Sequence, residues 1–506
     1  MLFNSYIFIF LFFPICLLGY YGLLCWGKKE AAQLFLLAVS FWFYGYFQVH
    51  YLLVMLFDIA VNYCFHRLLS KKPSGRLLFL AIAANLGVLF YFKYYDFFVE
   101  NLNAVFGSSL LPRHVLLPLG ISFFTFQQIG FLADTYRGEV KDCGLLPYAL
   151  FVAFFPQLIA GPIVTQAEML PQFQKMAERR FDWEKFARGY ALFVLGLFKK
   201  VILADMLGAG VDYGYANIAL LGRADALIII VAYSLQLYFD FSGYCDMARG
   251  IGRMLGFEIA VNFNSPYRAV NIVDFWKRWH ITLNRFFTSY VYIPLGGNRR
   301  GRGRMYLNLL FVFFLSGVWH GAGWNFIIWG MLHGALYVLT RWYLEKKKLY
   351  KERRSQGNGP GEGRPLWFSI WRKTAALVSK IALFLYVSAA WVYFRAADAA
   401  QANRLLRLAL QGKMQKVSFD LAECFQLDEF WYVLKMLRLD NFSYSRYVPM
   451  VFLLAAGLLS AMFGRNAAQL ADGIKGKAYQ AVLLGAVFVW CVLSFSQVSV
   501  FLYFNF

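Results

Sequence analysis

Long apolar runs divided by short basic ones dominate the chain. Residues 3–26 are apolar and are followed by Lys28 and Lys29. A cleavable signal carries its charge in front and a small-residue cleavage site behind. Neither is present, so the pattern predicts a retained span with its N-terminus outside and Lys28 inside. The run 31–66 ends in Arg67, Lys71, Lys72 and Arg76. It is too long for one crossing, and both flanks are basic. It therefore predicts a tight hairpin turning near Gly45–His50. Further apolar segments fall at 77–98, 115–133, 145–164, 187–207, 224–245, 305–320, 324–343, 375–394, 448–463 and 480–500. Several contain glycine, proline or charge, which predicts re-entrant or broken helices. Such breaks are tolerated where backbone lines a protein cavity.

Between the runs, residues 345–373 hold nine Lys/Arg against three Asp/Glu and a Gly-Asn-Gly-Pro-Gly stretch at 357–361. This predicts a flexible cytoplasmic loop. Residues 395–447 hold eight Lys/Arg and six Asp/Glu with amphipathic patterning, and are expected outside as interfacial helices. Residues 480–506 form the last span and its aromatic end, with Phe506 outside. No repeat of about 20–50 residues occurs, and no soluble catalytic domain is visible. Any chemistry takes place in the membrane, in one embedded domain covering 1–506.

Composition narrows the class. The 506 residues are 60% hydrophobic, 20% aromatic and 15% charged, against roughly 25% charged in an average soluble protein. A soluble enzyme, a disordered chain and a porin-like barrel are excluded. What remains is an all-α, polytopic integral membrane protein with about ten to thirteen spans. The net charge of +22 suits cytoplasmic loops and the anionic headgroups of membrane lipids. No RNA- or DNA-binding motif accompanies it, so nucleic acid is not an expected partner. Seven cysteines form no C-x-x-C pair and read as packing residues.

Six histidines occur, at 50, 66, 114, 280, 320 and 333. A lone membrane histidine is usually a hydrogen-bonded core residue. Three of the six have denser polar-aromatic settings: His280, in Asp274-Phe-Trp-Lys-Arg-Trp-His-Ile-Thr-Leu283, His320, in Leu315-Ser-Gly-Val-Trp-His-Gly-Ala-Gly-Trp-Asn325, and His333 in the next apolar segment. Arg299, Arg300, Arg302 and Arg304 fix a cytoplasmic start for the next helix. From Met305, His320 stands roughly 22 Å along it. The Gly-Ala-Gly turn then returns the chain toward Lys346. His320 thus tops a hairpin well inside the bilayer, where an ionisable residue is a functional candidate. Neutral imidazole suits general-base work on a hydroxyl. Zinc is the rival, but no close carboxylate or cysteine supplies the usual spacing, so no metal is expected. Asp240 and Asp246 need partners in an apolar segment. The i,i+3 spacing of Asp246 and Arg249 predicts a structural pair. Trp276, Trp279, Trp319 and Trp324 form either an interfacial belt or the lining of a substrate tunnel.

Taken together these motifs resemble the membrane-bound O-acyltransferases, within them the bacterial alginate and peptidoglycan O-acetyltransferases. The resemblance rests on Leu117-Pro-Leu-Gly-Ile-Ser-Phe-Phe-Thr-Phe-Gln127, Phe155-Pro-Gln-Leu-Ile-Ala-Gly-Pro-Ile163 and Tyr238-Phe-Asp-Phe-Ser-Gly-Tyr-Cys-Asp-Met-Ala248. It extends to Asn262-Phe-Asn-Ser-Pro-Tyr267, Phe275-Trp-Lys-Arg-Trp-His-Ile-Thr-Leu283, Tyr292-Ile-Pro-Leu-Gly-Gly-Asn298 and Trp319-His-Gly321. Cys245 is one departure, where serine is expected in many relatives. The resemblance implies a ring of helices around a central funnel, with the family's membrane histidine at His320 and its second at His280. Asp240, Asp246, Trp319 and Asn325 fall in supporting positions. It further implies a cytoplasmic acyl donor, expected to be acetyl-CoA as co-substrate, with no bound cofactor. The expected acceptor is a hydroxyl outside the inner membrane, on a polysaccharide or a partner acetyltransferase. The final Phe501-Leu-Tyr-Phe-Asn-Phe506 resembles the family's aromatic terminal motif, implying Tyr503 as an acyl relay; an interfacial aromatic anchor is the alternative. A transporter or flippase with a histidine proton relay, and a lipid-directed acyltransferase, are the competing functions. The first predicts inverted repeats, which are not found.

Overall fold

Among the described residues every regular element is helical, as the apolar runs demand. In lipid only a helix or a closed barrel satisfies every backbone group internally. The computed structural model describes residues 1–140, 143–355, 366–425, 428–439, 442, 444–497 and 501–502. Among these described residues, five helices are long and apolar enough to cross a membrane: Phe8–Cys25, Val49–Lys71, Gly75–Phe106, Arg223–Met254 and Trp371–Arg395. Shorter apolar helices, Tyr447–Phe463 and Ala478–Leu493, follow. The protein is an all-α polytopic membrane protein. Its chain divides into two compact units.

The first unit comprises residues 1–202, 239–262 and 467–506. Helices Lys29–Gly45 and Val49–Lys71 reverse at residues 46–48, where the hairpin was expected. Phe12, Phe43 and Phe155 pack with centroids 5.3–5.7 Å apart. Buried polar residues in these helices find hydrogen-bond partners, as burial requires: Gln33 and Ser40 donate to the carbonyls of Phe173 and Leu36 at 2.9 and 2.7 Å. Asp58 accepts from Asn62 at 2.9 Å and from Gln128 at 3.0 Å, and His66 Nδ1 lies 3.0 Å from the Thr135 hydroxyl. His66 is thus the ordinary hydrogen-bonded core histidine. Helix Trp183–Phe198 crosses residues 239–254 on glycines. A Cβ on Gly196 would stand 2.7 Å from the Gly243 carbonyl oxygen, and one on Gly250 equally close to that of Gly189. Small residues let membrane helices approach this closely.

The second unit comprises residues 203–238 and 263–466. Helices Arg302–His320 and Trp324–Ser355 form a hairpin reversing at residues 321–323. A Cβ on Gly317 would meet the Phe326 carbonyl oxygen at 2.5 Å, so the two backbones touch near the turn. Helix Leu366–Arg395 packs along Trp324–Ser355. The segment 345–373, expected as a flexible loop, is helical over 345–355 and 366–373; residues 356–365 lie outside the described residues. The correction has a local cause. No breaker stands before Gly357, and Arg341–Glu345 and Lys348–Glu352 pair at i,i+4, extending the helix. In the expected interfacial region, helix Ala399–Gln411 starts at Asp398, which accepts from the Gln401 amide at 2.7 Å. It buries Ala402, Leu405 and Ala409 on one face. Phe419–Glu423 and Asp428–Met436 follow.

Candidate active site

His280 is placed by a short, heavily tied turn in the second unit. Asn271 caps Ile272–Trp276 by accepting from the Asp274 amide at 2.9 Å. Arg278 Nε donates to Asp274 at 2.9 Å. Asn284 Nδ2 donates back to the carbonyls of Trp276 and Trp279 at 2.5 and 2.9 Å. Between these ties His280 takes φ +46° and ψ +52° and opens helix Ile281–Phe287. That left-handed conformation costs a non-glycine residue about 1–3 kcal/mol and tends to mark functional sites. The ring is fully buried, at 0% exposure.

His320 is the last residue of its helix and 4% exposed. Its ring centroid lies 4.8 Å from Trp319, 5.0 Å from Trp329 and from Phe394, and 6.5 Å from His280. His280 and His320 therefore share one buried aromatic enclosure. Trp319 spans them, 6.3 Å from His280. His333 joins the same wall, 5.1 Å from Trp329, and its Nδ1 accepts from Trp276 Nε1 at 3.3 Å. Asn325 is buried but serves the frame. Its Nδ2 donates to the carbonyls of Tyr393 and Ala396 at 3.1 and 2.9 Å, tying the His320 hairpin to the end of helix Leu366–Arg395. Trp324 is 59% exposed, unlike the other tryptophans grouped with it. Trp329, Trp391 and Phe394 sit in no motif. Their only signal is spacing: Trp329 and His333 at i,i+4, Trp391 and Phe394 at i,i+3.

A cavity of about 390 Å³ opens beside this enclosure. Trp276, Phe313 and Ser316 line it together with three cations, Lys277, Arg285 and Arg341. Among the described residues no group of three His, Cys, Asp or Glu side chains stands where it can hold a metal.

Asp240 and Asp246 belong to the first unit, and each is closed by a lysine. Lys200 Nζ lies 2.7 Å from Asp240, and Lys199 Nζ 2.7 Å from Asp246. Arg249, the partner expected for Asp246, is at 4.0 Å. Both lysines come from the π-helical turn Lys199–Ala204. The glycine crossing brings that turn against the two aspartates. Tyr503 lies outside the described residues.

The sequence model of the membrane-bound O-acyltransferase family matches residues 36–344. The chain is 40% identical over 437 residues to a peptidoglycan O-acetyltransferase of Helicobacter pylori, covering 80% of this chain and 79% of that one. It is 40% identical over 351 residues to probable alginate O-acetylases of Pseudomonas putida and Azotobacter vinelandii. Each match covers 67% of this chain, with 71% and 69% of the respective relatives.

Proposed function

We propose that this chain, which belongs to the membrane-bound O-acyltransferase family, takes acetyl from acetyl-CoA at the cytoplasmic face of the inner membrane. It delivers the group to a hydroxyl outside, on an envelope polysaccharide or by way of a partner acetyltransferase. Membership makes the protein an acyltransferase and replaces the transporter reading. The observation that carries the proposal is the pairing of His320 and His280 in one buried aromatic enclosure, centroids 6.5 Å apart.

In the reaction the acceptor oxygen attacks the thioester carbonyl. The C–O bond forms and the C–S bond breaks. The hydroxyl proton passes to His320 and then to the departing thiolate. His280, held by its strained backbone, orients the reacting groups. Enclosure excludes water, so the donor is kept from hydrolysis. General-base help is worth typically about 10²–10⁴-fold; the rest comes from holding donor and acceptor in register.

The cavity supports a phosphate-bearing donor. Lys277, Arg285 and Arg341 converge on it, and cations are what the phosphates of coenzyme A require. Neutralising all three, as Lys277→Gln, Arg285→Gln and Arg341→Gln, is expected to raise the acetyl-CoA KM by about tenfold or more and to change kcat little. That is the pattern of lost uniform binding. An unchanged KM in steady-state kinetics would place the donor elsewhere.

Sidedness follows from the positive segments, which put 345–373 in the cytoplasm and the segment around Phe506 outside. A cysteine engineered near Phe506 is expected to react with an impermeant maleimide from the outer face, and one near Gly357 only after permeabilisation. The reverse pattern would overturn donor access from the cytoplasm.

A further inference from the structure

The mechanism above makes no use of the buried ion pair Lys200–Asp240, whose side chains are 3% and 2% exposed. A buried pair is weak evidence for stability, because desolvating two charges offsets most of their attraction. Its carboxylate has a second bond. The Leu502 amide donates to Asp240 Oδ2 at 3.1 Å. One residue earlier, Phe501 is 1% exposed. Its ring stacks on Tyr244 at 4.6 Å and packs on Phe241 at 5.9 Å. Tyr244 is backed in turn by Phe3 at 4.9 Å. A main-chain amide on a carboxylate and a ring in an aromatic slot thus hold two successive residues of one segment against residues 240–244. All these residues belong to the first unit.

We propose that the Lys200–Asp240 pair is the receptor for the chain's own final segment, and that Asp240 is a positioning residue for Tyr503. Tyr503 follows Leu502 directly, and consecutive Cα atoms are about 3.8 Å apart. Whatever fixes the Leu502 amide therefore fixes where the Tyr503 backbone begins. Asp240 supplies the oxygen. Lys200 Nζ faces Oδ1 and leaves Oδ2 to the tail. The π-helical turn that carries Lys200 is of a kind often found at functional sites. The positioning role rests on the reading of Tyr503 as acyl carrier; the docking itself does not.

Hydrogen–deuterium exchange of the full chain in detergent separates the two. Lys200→Met with Asp240→Leu replaces the pair by apolar side chains and leaves no buried charge behind. This variant is expected to fold, yet to exchange the Leu502 amide at least about tenfold faster than wild type. Lys200→Met with Asp240→Asn keeps an acceptor oxygen, and is expected to stay within about threefold of wild type. A pair that only braces the helices makes no such distinction. Phe501→Ala, which leaves the ion pair intact, is expected to speed exchange as well, and serves if the apolar variant does not fold. Tyr503→Phe should leave exchange slow even where acetyl transfer is lost, so failure of the carrier reading is distinct from failure of docking. In the apolar variant, transfer to the outer acceptor should fall at constant acetyl-CoA KM. An unprotected Leu502 amide in wild type, or equal exchange in wild type and the folded apolar variant, overturns the proposal.

Discussion

His320→Ala is expected to remove envelope O-acetylation while the protein still inserts and folds. The expectation follows from where the ring stands. It ends a helix whose glycine-packed hairpin partner fixes its height, and it shares an enclosure with His280, Trp319, Trp329 and Phe394. No carboxylate is needed there for general-base work, because neutral imidazole near pH 7 already accepts a proton. Losing the base removes about 10²–10⁴-fold, enough to bring acetate released by mild alkali to background. His320→Gln keeps a polar side chain of similar reach without a base, and is expected to match the alanine variant. Normal protein levels with retained acetylation in both would sink the assignment. Loss of the protein in both would show a structural histidine instead.

Tyr503→Phe is expected to abolish transfer to the outer acceptor at normal protein levels, with acetyl-CoA binding intact. The substitution keeps the ring and removes the hydroxyl, so it divides a carrier from an interfacial anchor. A phenol of pKa near 10 needs a base to attack a thioester, and the carrier reading assigns that base to His320. The aromatic neighbours offer the tail a reason to dock, each buried ring being worth roughly 1.5–3 kcal/mol. Phe501 already occupies such a slot. Acetyl found on the Tyr503 peptide by mass spectrometry, absent in His320→Ala, is the supporting result. Full activity in Tyr503→Phe leaves only the anchor.

The legible features were those that one segment carries alone. The hairpin at 46–48 follows from an apolar run too long for one crossing with basic flanks. His320 at the head of a hairpin follows from four arginines below it and Gly-Ala-Gly above. Features requiring two segments to meet were not legible. Nothing in the spacing of Lys199 and Lys200 says that they close on Asp246 and Asp240. That pairing depends on Gly196 and Gly243 letting two helices touch and on a π-helical turn. The i,i+3 rule gave Arg249, which does pair with Asp246 at 4.0 Å, but not the closer lysine at 2.7 Å. Trp329 and Trp391 pass for ordinary apolar-helix residues, and only the third dimension shows that they wall the histidines. The left-handed backbone of His280 is likewise invisible in sequence, because asparagine ties at 271 and 284 impose it. The error at 345–373 has the opposite origin. Charge and glycine content suggested a loop, while i,i+4 pairing carried the helix on to Ser355.

Acetyl is expected to pass from a cytoplasmic thioester to an outer hydroxyl by way of His320. Inverted inner-membrane vesicles from cells expressing the chain, with [¹⁴C]acetyl-CoA supplied from outside, report on this passage. Alkali-labile label is expected on glycan enclosed in the lumen, resistant to added esterase until detergent is present, with only background label in His320→Ala vesicles. Label confined to the outer face, or equal luminal label with and without His320, would contradict it.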